Sequence, residues 1–282
     1  MVGMSKAKME NRALPKRFYK TAAAVDGRIL LDGRELKTQA RNPLVIPSSA
    51  LAEAIAAEWN TVEEQINPDR MPLTRLMNLT IDRAEADRDA MIQTILDYTE
   101  TDLLCYRAPM NPLPEGEGGD PRSGEGEGAS ATNPDTGAQA RPHRLTPPSP
   151  SGRGLNERQA AAFDPVLIWA AGQGIRLDTT DSVMPIAQPQ LSLQAARALL
   201  EQANAGELTA LAMMVPLLGS ALLALAIWQG EVHVEAAISM AHLDEDAQAE
   251  QWGVDEEAEA AWEHKKNDIT ASAFFLTHNA LK

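Results

Sequence analysis

Five histidines, one cysteine and a dense run of carboxylates are the residues of this 282-residue chain best suited to chemistry. The histidines stand at 143, 233, 242, 264 and 278, and none falls into His-Glu-x-x-His or another spacing that closes on a metal. His242-Leu243-Asp244 could touch locally, but with no partner motif a solvated imidazole is the simpler expectation. Cys105 lies between Leu104 and Tyr106, a setting for a buried thiol acting as a small hydrophobe rather than for an activated nucleophile. There is no Gly-x-Ser-x-Gly elbow. The run Gly124-Glu125-Gly126-Glu127-Gly128 lacks the strand, helix and lysine of a phosphate loop. No metal and no cofactor are therefore expected. Were the chain an enzyme, Tyr98, Asp102, Cys105 and Arg107 would be the polar groups to face a cleft between its parts.

The carboxylates are patterned differently. Between Asp244 and Glu263 there are nine acidic residues and no Lys or Arg, in a chain of net charge -15. Such a run is ordinarily a pair of solvated helical faces. Its functional alternative is a docking surface that draws in a basic patch on another protein. Trp252 and Trp262 lie inside the run; at least one belongs in the core, and an exposed one would be an anchor. Asp244, Glu245, Glu250 and Trp252 are the candidate contact residues, set on one helix with Glu245 five positions before Glu250. The same acidity repels phosphates, which argues against nucleic acid and anionic membrane surfaces as partners.

Composition bounds the setting. With one cysteine no intramolecular disulfide can form, which suits a reducing compartment. Lys6, Lys8, Arg12, Lys16 and Arg17 are not followed by an apolar core, so a secretory signal is not expected; their basic character leaves an organelle presequence as the alternative. Leu208 to Trp228 contains no charged residue and is long enough to cross a bilayer. Pro216 and Gly219 interrupt it, alanine is abundant, and Glu207 and Glu231 flank it without Lys or Arg. The segment therefore reads as two buried helices meeting between Pro216 and Ser220, with no membrane insertion.

The elements that would position these residues give an α+β fold: a small N-terminal antiparallel β domain followed by a larger all-helical domain. Asp26-Gly27 and Asp32-Gly33 between short apolar runs are hairpin signals, and Leu36 to Thr38 and Leu44 to Ile46 extend the strand pattern. Ser48 or Ser49 can cap a helix carrying Leu51, Ile55, Glu58 and Trp59. Further helices are expected from Met71, over Asp87 to Tyr106, Asn156 to Ala171, Leu193 to Asn204 and Val234 to Trp252, and after an Asp255 cap. Residues 111–154 hold nine of the 18 glycines and eight of the 18 prolines, with no aromatic, Val or Ile, a composition that favours disorder. The organisation is then a flexible N-terminus at 1–15, a mainly β domain with one helix at 16–70, a helical domain at 71–110 and 155–282, and a disordered insertion at 111–154.

Several short segments, taken in order, resemble one family. Leu31-Asp32-Gly33-Arg34-Glu35-Leu36-Lys37-Thr38 comes first, then Ala57-Glu58-Trp59, Ile66-Asn67-Pro68 and Met71-Pro72-Leu73-Thr74. Asp102-Leu103-Leu104-Cys105-Tyr106-Arg107, Phe163-Asp164-Pro165 with Trp169, Leu243-Asp244-Glu245 and Trp252-Gly253 with Glu256-Glu257-Ala258 follow. The series is similar to the assembly chaperones for the alpha subunit of the F-type ATP synthase catalytic head, from about residue 16 to 276, and the 111–154 tract is no part of that pattern. The resemblance implies a nucleotide-independent activity, holding the unassembled alpha subunit until beta arrives, and not enzymatic catalysis; a monomer is expected. It implies a bacterial cytoplasm, or a mitochondrial matrix in a eukaryote. A cofactor-free enzyme and a permanent structural adaptor are the alternatives.

Overall fold

The computed structural model describes residues 14–109 and 152–279. The expectations for residues 1–13 and for nearly all of the 111–154 tract lie outside them.

The first regular structure among the described residues is a sheet built on two tight turns. Strands β1 (Ala22–Val25), β2 (Arg28–Leu31) and β3 (Arg34–Glu35) pair antiparallel in sequence order. Asp26 and Gly27 have φ of 48° and 72°, and Asp32 and Gly33 of 46° and 82°. Positive φ at both central residues gives the turn whose twist matches that of the strands. Gly27 has a second reason to be glycine: a Cβ there would lie 2.6 Å from the Ile46 carbonyl oxygen. The expected strands at 36–38 and 44–46 do not form. One isolated bridge, Lys37 to Pro43, stands in their place, because Pro43 has no N–H with which to continue a ladder. The alternation survives, with Leu44 and Ile46 buried and Val45 outward.

Helix α1 (Ser49–Thr61) is capped by Ser48, whose Oγ accepts from the Leu51 N–H at 3.3 Å. Near its end Asn60 bonds both backbone groups of Ala22, accepting from its N–H at 2.9 Å and donating to its carbonyl at 2.8 Å. That pair satisfies the outer edge of β1. Helices α2 (Pro72–Asp82) and α3 (Arg88–Glu100) follow, then α4 (Gly152–Gly172), α5 (Gln190–Leu200), α6 (Ala205–Leu218) and α7 (Ala221–Trp228). The chain ends in α8 (Val234–Ala241), α9 (Leu243–Trp252) and α10 (Glu256–His278).

Three boundaries differ from the sequence expectation, each for a local reason. The run 87–106 is cut at Glu100, because Asp102 leaves the helix in extended geometry (ψ 131°) and caps a separate single turn over Leu103–Cys105. Asn204 does not end a helix but starts one: its side chain accepts from the Glu207 N–H while Glu207 accepts from the Asn204 N–H. The run 234–252 breaks at His242, whose ring stacks on Trp262 of α10 at 4.3 Å. The apolar stretch behaves as expected: α6 ends at Leu218, Gly219 takes φ 65°, and Ser220 caps α7.

Buried side chains gather in two clusters. One joins the sheet, α1 and α2 through Ile29, Ile46, Leu51, Ile55, Leu76 and Met77. The other is helical, centred on Leu211, Met214, Leu222, Leu225 and Phe163. Helix α10 serves both, giving Phe275 to the first and Trp262 and Ile269 to the second. Arg75 of α2 reaches Asp268 of α10 at 2.6 Å, half-buried beside this shared helix. Among the described residues no helix is long and apolar enough to cross a membrane.

Candidate functional site

The acidic run folds into a corner between two helices. Asp244, Glu245 and Asp246 occupy the first turn of α9, and Glu256, Glu257 and Glu259 that of α10. Acids there complement the free N–H groups and the dipole of a helix start. Asp255 caps α10, accepting from Glu257 N–H at 2.9 Å and Ala258 N–H at 3.2 Å. Gly253, at φ 90°, turns the chain between the helices. Much of the run is therefore consistent with local helix chemistry.

The two tryptophans separate within it. Trp262 is 7% exposed and packs on His242, whose Nδ1 lies 2.9 Å from Asp246. His242 is thus half-buried and partnered rather than the solvated imidazole expected. Trp252 is 72% exposed, and Val254 beside it 67%. Both side chains stand in water, with Glu250 before them in the chain and Asp255, Glu256 and Glu257 after them.

The four candidate contact residues have unequal freedom. Asp244 is half-buried and accepts from Gln159 Nε2 at 2.7 Å; Gln159 in turn accepts from the Ala108 N–H at 2.7 Å. Glu250 is exposed but pairs with Arg158 at 2.9 Å. These two bonds fasten α9 to α4. Glu245 is exposed and joins no hydrogen bond or ion pair among the described residues. Seven residues in an α-helix return to nearly the same face, so Glu245 and Trp252 share a stripe, whereas five residues place Glu250 about 140° round the axis. One face of α9 docks on α4 and another offers Glu245 and Trp252 to solvent.

The residues considered for an enzyme are used otherwise. Asp102 is wholly buried and accepts from Leu104 N–H at 3.0 Å, Ser220 Oγ at 2.7 Å and Leu222 N–H at 2.9 Å. Burial pushes its carboxyl up to about 6 in spite of those donors. It pins the turn after α3 to the junction of α6 and α7. Burial pushes the Cys105 thiol up to about 12, leaving essentially no thiolate for attack. Arg107, its pKa lowered by burial, lies 2.7 Å from Asp164 and over the Phe163 ring. Tyr98 packs against the helical cluster. Among the described residues no group of three His, Cys, Asp or Glu is placed to hold a metal.

Sequence reasoning missed one functional-looking carboxylate. Glu58 lies on the inward side of α1 and accepts from Leu73 N–H at 2.7 Å, Thr74 N–H at 2.9 Å and Thr74 Oγ1 at 2.7 Å. It caps α2 from another helix, where Met71 supplies no side-chain cap. Burial raises its pKa. An acid among the apolar positions of α1 was the available signal. A second omission is Val183 and Met184, both largely exposed in the connection before α5.

Titratable groups are spent on helix ends and large side chains stand exposed near acids, on an α+β fold. The comparisons make this specific. The model of the family described as ATP12 chaperone protein matches residues 16–171. Atp12 from Paracoccus denitrificans has a crystal structure that covers 94% of this chain and 98% of its own, at 32% identity and a TM-score of 0.70. A single-substitution variant of that protein matches equally. A protein from Agrobacterium tumefaciens is 38% identical, with a TM-score of 0.71, covering 94% of this chain and 86% of its own. The chain belongs to the ATP12 chaperone family.

Proposed function

We propose that this chaperone binds the unassembled alpha subunit of the F-type ATP synthase catalytic head and delivers it for assembly with beta. The observation that carries the reading is the exposure of Trp252 and Val254 at an acidic corner, in a chain of net charge -15. A subunit awaiting its place in a ring exposes apolar surface that aggregates while unpaired. A partner that covers such a face stabilises the soluble form by mass action. It must later leave, which favours an apolar anchor with a polar rim over a wide dry interface. In this reading Trp252 is the anchor, Glu245 the free charge, and Asp244 and Glu250 hold α9 in place while contributing charge. The protein acts as a monomer in the bacterial cytoplasm, or in the matrix of a mitochondrion.

The test is co-expression with the alpha subunit alone, followed by size-exclusion chromatography. Alpha should become soluble and co-elute, and added beta should displace it. Alpha that stays insoluble with no complex would overturn the reading. The enzymatic alternative gains no support from Asp102 and Cys105, which are sealed in the core.

A further inference from the structure

Four of the segments that carry the family likeness fold around one cavity of about 280 Å³ in the N-terminal part. Leu36, Ile66, Met71 and Leu79 line it with apolar surface. Trp59 also lines it, is 7% exposed, and has a buried indole N–H without a partner among the described residues. Buried donors are nearly always paired, so an unpaired one beside an opening points to an acceptor brought from outside. The volume falls just below the roughly 300–1,000 Å³ of small-molecule sites, and suits one large side chain better than a cofactor.

The cavity lining is richer in cations than the rest of this acidic molecule. Lys37, Arg75 and Arg83 line it against one carboxylate, Asp82. Asp82 is engaged by Thr38 Oγ1, Ala40 N–H and Asn42 Nδ2, which together hold its carboxyl below the usual range. Arg75 shares its charge with Asp268 and Arg83 with Asp87. Lys37 is exposed and forms no ion pair among the described residues. Counting those partners, the three cations meet Asp82, Asp87 and Asp268 and the charge balances, so it is the exposed Lys37 ammonium, together with the unpaired indole N–H, that favours an occupant with an acidic flank.

We propose that the cavity is a second client contact, taking one large apolar side chain from an acid-flanked segment of the alpha subunit that brings an acceptor oxygen to the Trp59 indole. The inference rests on the client reading above and adds a site remote from the acidic corner in sequence. Anchoring through two separated sites would let a modest affinity at each hold the client firmly and release it in steps.

The experiment uses the full chain labelled with ¹⁵N. Its five tryptophan indole resonances are recorded while overlapping peptides spanning the alpha subunit are added, with Trp59→Phe assigning its own signal. An apolar peptide with acidic flanks should move the Trp59 resonance downfield. Asn78→Phe, which fills the cavity from its half-buried position on α2, should abolish that shift and weaken capture of the whole alpha subunit about ten-fold. Lys37→Glu, at an exposed position, should weaken capture about three-fold and more at low salt. If Asn78→Phe fails to fold, the Lys37→Glu variant and the indole shift still decide. Wild-type capture of alpha with a Trp59 signal that no peptide moves would mean an internal void only, and the inference falls while the client reading stands. Failure of the wild type to hold alpha at all removes both.

Discussion

Residues 208–228 and 244–263 are neighbours in one helical part and put their side chains to opposite uses. The first stretch buries nearly everything it has: from Ala221 to Ala226 no side chain reaches solvent. The second leaves a tryptophan and a valine in water and lines its helix starts with acids. The difference teaches where stability is kept and, under the proposed function, where recognition would be. The apolar hairpin of α6 and α7 can be tight because one buried carboxylate, Asp102, satisfies its turn. The acidic corner can leave Trp252 in water because the core does not enclose it.

The comparison breaks first at Asp102. Asp102→Ala would leave the Ser220 hydroxyl and the Leu104 and Leu222 N–H groups without an acceptor in the core. We expect a loss of about 4 kcal/mol, read by urea denaturation. The same residue gives a pH signature. Its folded value of about 6 lies above the 3.8 of an aspartate in water, so over that window the native state holds a proton that the unfolded chain has lost. Its contribution is complete below the lower value, declines as pH rises through the window, and is gone above the upper one, a change of about 3 kcal/mol. The stability difference between wild type and Asp102→Asn should vary between pH 4 and 6 and stay flat from 7 to 8.

Two tryptophans ten residues apart sharpen it. Trp262→Ala removes a buried ring from the helical cluster and from the His242 stack, and should cost about 3 kcal/mol. Trp252→Ala removes an exposed ring and should change stability by less than about 0.5 kcal/mol, while weakening alpha-subunit capture ten-fold or more. Equal effects on folding would erase the division between core and corner.

Much of this division was legible in the sequence. Asp-Gly turns, the Ser48 and Asp255 caps and the break near Pro216 to Ser220 follow from local residue chemistry, and the structure has them where the chain signals them. Helix boundaries set at a distance were not legible. The cut after Glu100 depends on Ser220 and Leu222, more than a hundred residues away, and the break at His242 depends on Trp262. The pattern of charges in the acidic run was visible, but nothing local tells that Asp244 would bond Gln159, or that Trp252 and not Trp262 would be outside. Burial is a property of the assembled fold.

Glu58 is the intermediate case, a polar device in the β-side core that matches Asp102 in the helical one. Both carboxylates satisfy the start of another helix, but Glu58 remains partly reached by solvent. Glu58→Gln keeps the shape, removes the charge from the start of α2, and must turn an amide N–H₂ toward donors at Leu73 or Thr74. A loss of about 1–2 kcal/mol is expected in thermal or urea unfolding, smaller than at Asp102 because water can relieve the mismatch.

The smallest effect on folding, and the most telling for recognition, belongs to Glu245→Lys with Glu250→Lys. Glu250 gives up one exposed pair with Arg158, and Glu245 gives up none, so the double variant should unfold within about 0.5 kcal/mol of wild type. Reversal changes the corner by four charge units, since each site passes from -1 to +1. If a basic patch on alpha is drawn to this face, capture should fall steeply at low ionic strength. The gap from wild type should narrow as salt shortens the screening length from about 10 Å at 0.1 M to about 3 Å at 1 M. A salt-independent loss would point to a displaced α9, because Arg158–Glu250 helps seat it on α4, and Arg158→Glu in the double-variant background should then restore capture by re-forming the pair in reverse. Unchanged capture in the folded double variant would move the contact away from the acidic corner and leave its charge to the helix starts.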